Sequence, residues 1–137
     1  MRTPAALLRA APAAAAVAAL ATACSASAGT ADAERTAQDA LRAASSQDTV
    51  ALCALLSPAT EHQLELQNSA PCATAARKVR LGDTADAGPA QVWGSSALVP
   101  TGATSVFLIE VNGRWRVRAA GCSLRPDQPA DCELGGG

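Results

Sequence analysis

The sequence predicts an α+β domain in which N-terminal helices pack on one face of a curved antiparallel sheet of about four strands. Apolar residues recur with helical spacing between residues 32 and 79, whereas strand-like segments fill residues 90–122. Asn112-Gly113, between two apolar segments, is the strongest short signal for a β-hairpin. Because the helical patterns all precede the strands, the sequence favours helices on one face of an antiparallel sheet.

The first 23 residues have the pattern of an export signal. Arg2 and Arg9 supply positive charge, and residues 10–23 are uncharged and end in small side chains. Those 14 residues would extend about 21 Å as a helix, short of a roughly 30 Å hydrocarbon core. Pro12 interrupts the stretch as well. We therefore predict that residues 1–23 are a signal peptide rather than a membrane span.

The end of this segment, "ATAC", resembles the lipobox of bacterial lipoproteins. The resemblance implies that the thiol of Cys24 takes a diacylglycerol and that Cys24 becomes the new N-terminus. The family usually has Leu three residues before the cysteine, whereas this chain has Ala21 there and Leu20 one further back. The small residues also suit ordinary secretion. The lipid anchor is favoured because five cysteines in an exported chain leave one unpaired.

After the signal, we expect the lipidated Cys24 and a short tether over residues 24–30, followed by a single domain over 31–137. The chain from Cys24 onward has nine basic and twelve acidic residues, for a net charge of −3. Without a basic patch, nucleic acid is not an expected partner. Only 22 of these 114 residues are Val, Ile, Leu, Phe, Trp or Met. Such a small apolar core predicts that disulfides contribute to folding.

Four short helices are predicted before the sheet. The first spans residues 32–45, with Asp32 as its cap; its buried face comprises Ala33, Ala37, Ala40, Leu41 and Ala44. The second follows Asp48, and its buried residues are Val50, Leu52, Leu55 and Leu56. Ser57-Pro58 provides a cap and a first helical residue for the third. The fourth begins near Cys72.

The strands are predicted at residues 90–99, 104–111 and 114–122, with 77–81 as a shorter first strand. A two-residue turn at Asn112-Gly113 places Val111 opposite Arg114. In the same register, Glu110 pairs with Trp115 and Leu108 with Val117 on one face of the sheet. Ile109 pairs with Arg116 and Phe107 with Arg118 on the opposite face. Val106 would then face Ala119. The face with Leu108 and Val117 is expected to cover the helices.

The opposite face carries two large apolar side chains among three arginines: Phe107, Ile109, Arg114, Arg116 and Arg118. Arginine stems can cover apolar neighbours while their charged ends stay in water, which gives a solvated outer face. Arginine and aromatic residues are also enriched at the centres of interfaces. The face is therefore a candidate surface for a partner or for a homodimer. The alternative is that it is an ordinary outer face in contact with water.

Four cysteines remain once Cys24 is assigned to lipid, and they permit three pairings. Cys122 and Cys132 enclose a short segment stiffened by two prolines, which favours a local bridge. The remaining pair, Cys53 and Cys72, would tie two helices together. We predict the disulfides Cys53–Cys72 and Cys122–Cys132.

The sequence offers little for catalysis. His62 lies on a predicted helix outside the sheet, where a solvated side chain is favoured over a general base. Glu110 lies beside the core face at the hairpin end and could contact a ligand, although a charged turn end explains it. The cysteines lack the C-x-x-C spacing of zinc sites, so disulfides are favoured over metal. No cofactor is indicated.

The order of elements and the C-terminal motifs resemble small actinobacterial lipoproteins with a nuclear-transport-factor-2-like, or cystatin-like, α+β cone domain. The residues that carry this resemblance are Gly113, Trp115, Val117, Gly121, Cys122, Pro129, Asp131 and Cys132. An Arg-rich, Ala-rich composition agrees with a high-GC source. Because this fold hosts both enzymes and binding proteins, it does not assign a function.

The function that the sequence favours is a non-enzymatic binding domain, exported and tethered to the outer face of the cell membrane, with an unknown protein or small ligand as its partner. Two alternatives remain: a cyclase- or dehydratase-like enzyme that uses the cone pocket, and a passive structural protein of the envelope. A soluble secreted protein is the alternative location.

Overall fold

A computed structural model describes residues 21–82 and 87–136 of the chain, with side chains from residue 29 onward. The predicted signal peptide therefore lies outside the described residues except for 21–23. Within the described part, no helix combines the length and the apolar character needed to cross a membrane. The architecture is α+β, with four helices packed on a five-stranded antiparallel sheet.

Helix α1 spans Ala21–Ser45 and begins before Asp32, the predicted cap. The backbone of the predicted tether, residues 25–30, is therefore helical. Alanine has the highest helix propensity of all residues, which explains why an alanine-rich segment continues the helix. Asp32 binds the guanidinium of Arg35 at 2.7 Å instead of capping the helix. The first helix thus begins earlier in the chain than the sequence predicts.

Small side chains form the buried face of α1, as the sequence predicts. All five residues of the predicted stripe are at most 7% exposed: Ala33, Ala37, Ala40, Leu41 and Ala44. They join the same core cluster as the strand residues Val106, Leu108 and Val117. Because alanine projects little from the backbone, α1 can lie close to the sheet and exclude water from a core with few large side chains.

Three short helices and a 3-10 turn follow α1: α2 Thr49–Leu55, α3 Pro58–Asn68, α4 Cys72–Ala75 and the turn Ala76–Lys78. The side chain of Asp48 accepts a hydrogen bond from the backbone of Ala51, and Ser57 caps α3, both as predicted. Val50 is 71% exposed, so its predicted burial is wrong. It lies in the first turn of α2, whereas Leu52 and Leu56 point into the core.

The sheet has five strands in the order β1-β2-β3-β4-β5, with bounds β1 Gln91–Trp93, β2 Ser96–Thr101, β3 Thr104–Val111, β4 Arg114–Ser123 and β5 Asp131–Gly135. The strand predicted at 90–99 is two strands, because a turn at Gly94 with φ of 59° reverses the chain. The strand predicted at 77–81 is absent, since Ala76–Lys78 forms the 3-10 turn. Strand β5 was not predicted from the sequence.

The register of the β3–β4 hairpin follows the prediction for four pairs and then shifts. Val111–Arg114 through Leu108–Val117 pair as expected, but Phe107 lies opposite Ala119 instead of Arg118. Arg118 is the extra residue of a β-bulge, so the predicted Val106–Ala119 pair is wrong as well. The hydroxyl of Thr60 donates to the carbonyl oxygen of Arg118 at 2.8 Å. This contact from the start of α3 holds the bulge.

Two disulfides join the same cysteine pairs that the sequence predicts. Cys53–Cys72 links α2 to the first residue of α4, with Cα atoms 6.1 Å apart. Cys122–Cys132 joins residues directly opposite one another on β4 and β5. The second bond therefore connects two paired strands. From the sequence, it was expected only to close the loop between the two cysteines. Together they hold the shortest helix and the last strand onto the domain.

Replacing Gly135 by alanine should destabilise the fold strongly. A Cβ atom there would lie 2.2 Å from the carbonyl oxygen of Arg118, and φ is already 70°. Gly94 has a similar φ of 59°, but a Cβ there would meet nothing within 4 Å. We expect G94A to lower the free energy of unfolding by about 1 kcal/mol, the cost of left-handed backbone for alanine, and G135A by about 3 kcal/mol or more. Urea denaturation measures both; equal losses would contradict a clash at Gly135.

Removing the Cys53–Cys72 disulfide as C53A/C72A should lower the free energy of unfolding by about 3 kcal/mol, because the bond closes a loop of 19 residues in the unfolded chain. The matched variant C122A/C132A opens a loop of 10 residues and should lose slightly less. Denaturation in urea without reductant gives both values. An unchanged midpoint in C53A/C72A would show that the small core is sufficient without this bond.

Candidate interaction surface

The outer face of the sheet carries two neighbouring rows of side chains. Residues directly opposite one another in a sheet share a face. The first row crosses four strands and comprises Trp93, Ser96, Ile109 and Arg116. The second row comprises Gln91, Leu98, Phe107 and Ala119. The predicted face residues Phe107 and Ile109 therefore lie side by side at its centre.

This outer face is apolar and partly open. Trp93 is 52% exposed, and Leu98, Phe107 and Ile109 are half-buried. The helices contribute to the core on the other side, where Val106 and Leu108 are fully buried. Aromatic and aliphatic side chains that remain accessible on one sheet face are typical of binding surfaces.

The three arginines predicted for this face have different environments. Arg114 is exposed at the start of β4. Arg116 donates from its guanidinium to the carbonyl oxygen of Ala54, in the last turn of α2, so it satisfies a helix end. Arg118 is exposed at the bulge. The structure therefore assigns Arg116 a contact within the domain, whereas Arg114 and Arg118 extend into solvent.

Two open clefts flank the start of β4. The first has a volume of about 540 Å³ and lies between α1 and the β3–β4 hairpin, with Glu110, Trp115 and Arg114 among its lining residues. The second has a volume of about 470 Å³ and lies between the hairpin and the segment from α2 to α3, with Cys53 and Glu61 in its wall. Arg114 and Arg116 line both clefts.

Charges in the first cleft are largely paired along α1. Arg35 binds Asp32 at 2.7 Å and Arg42 binds Asp39 at 3.1 Å. The indole nitrogen of Trp115 donates to the carbonyl oxygen of Gly29 at 3.0 Å, which fixes the start of the domain on the hairpin. These contacts stabilise the junction of α1 with the sheet. A cleft built in this way can bind a small polar ligand, but its side chains are not arranged as an acid–base pair.

The other candidate residues lie apart. His62 is exposed on α3, as the sequence predicts, and lines neither cleft, whereas Glu110 is exposed and lines the first. Over residues 21–82 and 87–136, no three His, Cys, Asp or Glu side chains are grouped as metal ligands. Cys24 belongs to the backbone of α1, five residues before Gly29.

Sequence reasoning missed Trp93 and Leu98 as members of the outer face. Their assignment required the turn at Gly94, which the pattern of residues 90–99 concealed because it reads as one continuous strand. The signal that could have revealed it is the "WGSS" segment, since glycine inside a strand pattern often marks an interruption. With that turn in place, Trp93 falls opposite Ser96.

The contact of Arg116 with α2 predicts different effects for the two neighbouring arginines. R116M should lower the free energy of unfolding by about 1 kcal/mol, because the last turn of α2 loses a charged donor. R114M should change it by less than about 0.5 kcal/mol, since Arg114 is exposed. Thermal and urea denaturation of both variants provide the test. Equal stability of the two would show that the Ala54 contact contributes nothing.

Comparison with known proteins found no match. No protein-family model matches this chain, and neither a curated protein sequence nor a solved structure does. Support for the α+β fold and the two disulfides therefore comes from the structure of this chain alone. The lipoprotein and cone-domain resemblance stays a prediction from the sequence.

Proposed function

We propose that this protein is an exported, lipid-anchored domain that binds a protein partner through the outer face of its sheet and has no catalytic role. The observation that carries the proposal is the open apolar face around Phe107 and Ile109. The helices occupy the other side, so the domain has one face for its core and one available for a partner.

The composition of the outer face supports a partner better than it supports a solvated surface. Its centre holds Leu98, Phe107 and Ile109, and exposed guanidinium groups of Arg114 and Arg118 lie beside them. An apolar centre with a charged border is the common anatomy of protein interfaces. Because the guanidinium of Arg116 also contacts the last turn of α2, a substitution of Arg116 would change stability together with binding and is a poor test of binding by itself.

The disulfides support the location. Four of the five cysteines are paired, and disulfides persist in oxidising compartments outside the cytoplasm. Cys24 remains, within the segment that resembles a lipobox. A lipid on Cys24 would account for the cysteine outside these two pairs, and it would hold the domain at the outer surface of the membrane.

The enzymatic alternative has less support. His62 lines neither of the two clefts at the hairpin end, and Glu110 is exposed beside a tryptophan that binds the backbone of α1. A general base must lie within hydrogen-bond reach of the reacting group. These residues do not converge on one point. The passive structural alternative leaves the open apolar face without a role.

A photo-crosslinking experiment in the exporting cell tests the binding face. Replacing Phe107 with a benzophenone amino acid keeps an aromatic side chain at the centre of the face, and we expect one discrete adduct on irradiation. The same substitution at Leu66, which is 66% exposed on α3, is the matched control and should give none. A product of twice the mass would identify a homodimer.

The same cells test the anchor. Intact mass spectrometry should show a diacylglycerol on Cys24 as the N-terminal residue, and C24S should move the protein from the membrane fraction to the medium. Equal crosslinking at positions 107 and 66, or none at either, would contradict the binding face. An unmodified Cys24 would contradict the anchor without affecting that result.

A further inference from the structure

The start of the domain lies at one end of the sheet. The indole of Trp115 holds the carbonyl oxygen of Gly29 at 3.0 Å, next to the β3–β4 turn at Asn112-Gly113. Only five residue steps separate Gly29 from Cys24. They span about 7.5 Å as a helix and at most about 17 Å if extended. A lipid on Cys24 would therefore hold this end of the domain against the membrane surface.

The β1–β2 turn lies at the same end. The backbone nitrogen of Glu110, the residue opposite Trp115, donates to the carbonyl oxygen of Ser95 at 2.8 Å. Because neighbouring strands are about 4.8 Å apart, this turn lies roughly 10 Å from β4 across the sheet. Both turns would consequently face the bilayer at similar depth.

The residues at this end are suited to a lipid surface. Trp93, directly before the turn, is 52% exposed, and Val92, on the opposite face of β1, is 41% exposed. Tryptophan is enriched at membrane interfaces because its indole combines an apolar ring with a hydrogen-bond donor. Arg114 is exposed in the other hairpin and could bind a lipid phosphate. Among the carboxylates that line the same cleft as Arg114, Asp32 is paired with Arg35, whereas Glu110 is exposed.

We infer that this end of the domain, with Trp93 at its tip and Arg114 beside it, docks on the phospholipid headgroups of the membrane that carries the anchor. The inference rests on the proposed lipid anchor. A tether of a few residues gives an effective concentration of order millimolar, so a contact too weak to bind a free protein to membranes is sufficient. The outer face around Phe107 would then stand at an angle to the bilayer, accessible from the side.

The test attaches the protein to vesicles by chemistry and measures the position of its tryptophan. In the chain from Cys24 to Gly137, Cys24 is the cysteine outside the two disulfides, so its thiol couples to a maleimide lipid. The vesicles contain phosphatidylglycerol brominated near the headgroup, which quenches tryptophan fluorescence on contact. The matched variant W93L/L66W transfers the exposed tryptophan to α3 and keeps Trp115 in both proteins.

We expect fractional quenching of the unsubstituted protein to be at least about twofold that of W93L/L66W, because Trp93 enters the interface, the tryptophan moved to α3 does not, and Trp115 is common to both proteins. R114E should reduce quenching toward the value of the transferred variant. Equal quenching of the unsubstituted protein and W93L/L66W would overturn the docked orientation. Because the coupling is chemical, this result is independent of whether cells attach lipid to Cys24, which the mass of the exported protein decides.

Discussion

The close packing of helix α1 on the sheet is the constraint on which the rest of this structure depends. Ala33, Ala37 and Ala40 are fully buried, and each presents a single methyl group to the strands. A larger side chain at any of them would push the helix outward and open a core that has few large residues to refill the gap. The same helix closes the approach to β1, since Glu34 accepts from the backbone of Ala90 at 2.8 Å and Gln38 from Ala87 at 2.7 Å.

The remaining helices are too short to be stable by themselves and depend on specific attachments. Helix α3 is fixed at its first turn, where the backbone of Ser57 donates to Val117 at 2.8 Å and Thr60 reaches the bulge. Helix α4 has four residues and is held by the disulfide at Cys72. Isolated helices of this length are unstable in water. The domain thus combines one long helix with short helices that add Leu52, Leu56 and Leu64 to the core and are fixed by a few specific contacts.

Local chemistry determined which features the sequence could predict. The hairpin turn, its first four pairs, both disulfides and the caps at Asp48 and Ser57 follow from a few adjacent residues. The bulge could not be predicted, because its cause is a hydroxyl on Thr60, 58 residues away from Arg118. Strand β5 contains acidic residues and glycine, which disfavour strands, and it is held on the domain by the Cys132 disulfide and by the burial of Leu134. For the site, the alternation of side chains along β3 was enough to predict that Phe107 and Ile109 share the outer face. The contact of Arg116 with Ala54 could not be predicted, because it depends on where α2 ends in space.

The hydrogen bond from Trp115 to Gly29 would have a mechanical consequence if the proposed anchor at Cys24 holds the domain. Tension applied through that end would reach this bond before any part of the core, and then the bonds of Glu34 and Gln38 to the segment before β1. All three lie along α1, so a pull along the helix axis would load them in succession as the helix is drawn across the sheet. Resistance to force depends on the rate of unfolding rather than on the equilibrium free energy. The residues that matter most for mechanical endurance therefore lie at the margin of the domain, although its thermodynamic stability resides in the buried alanines and leucines.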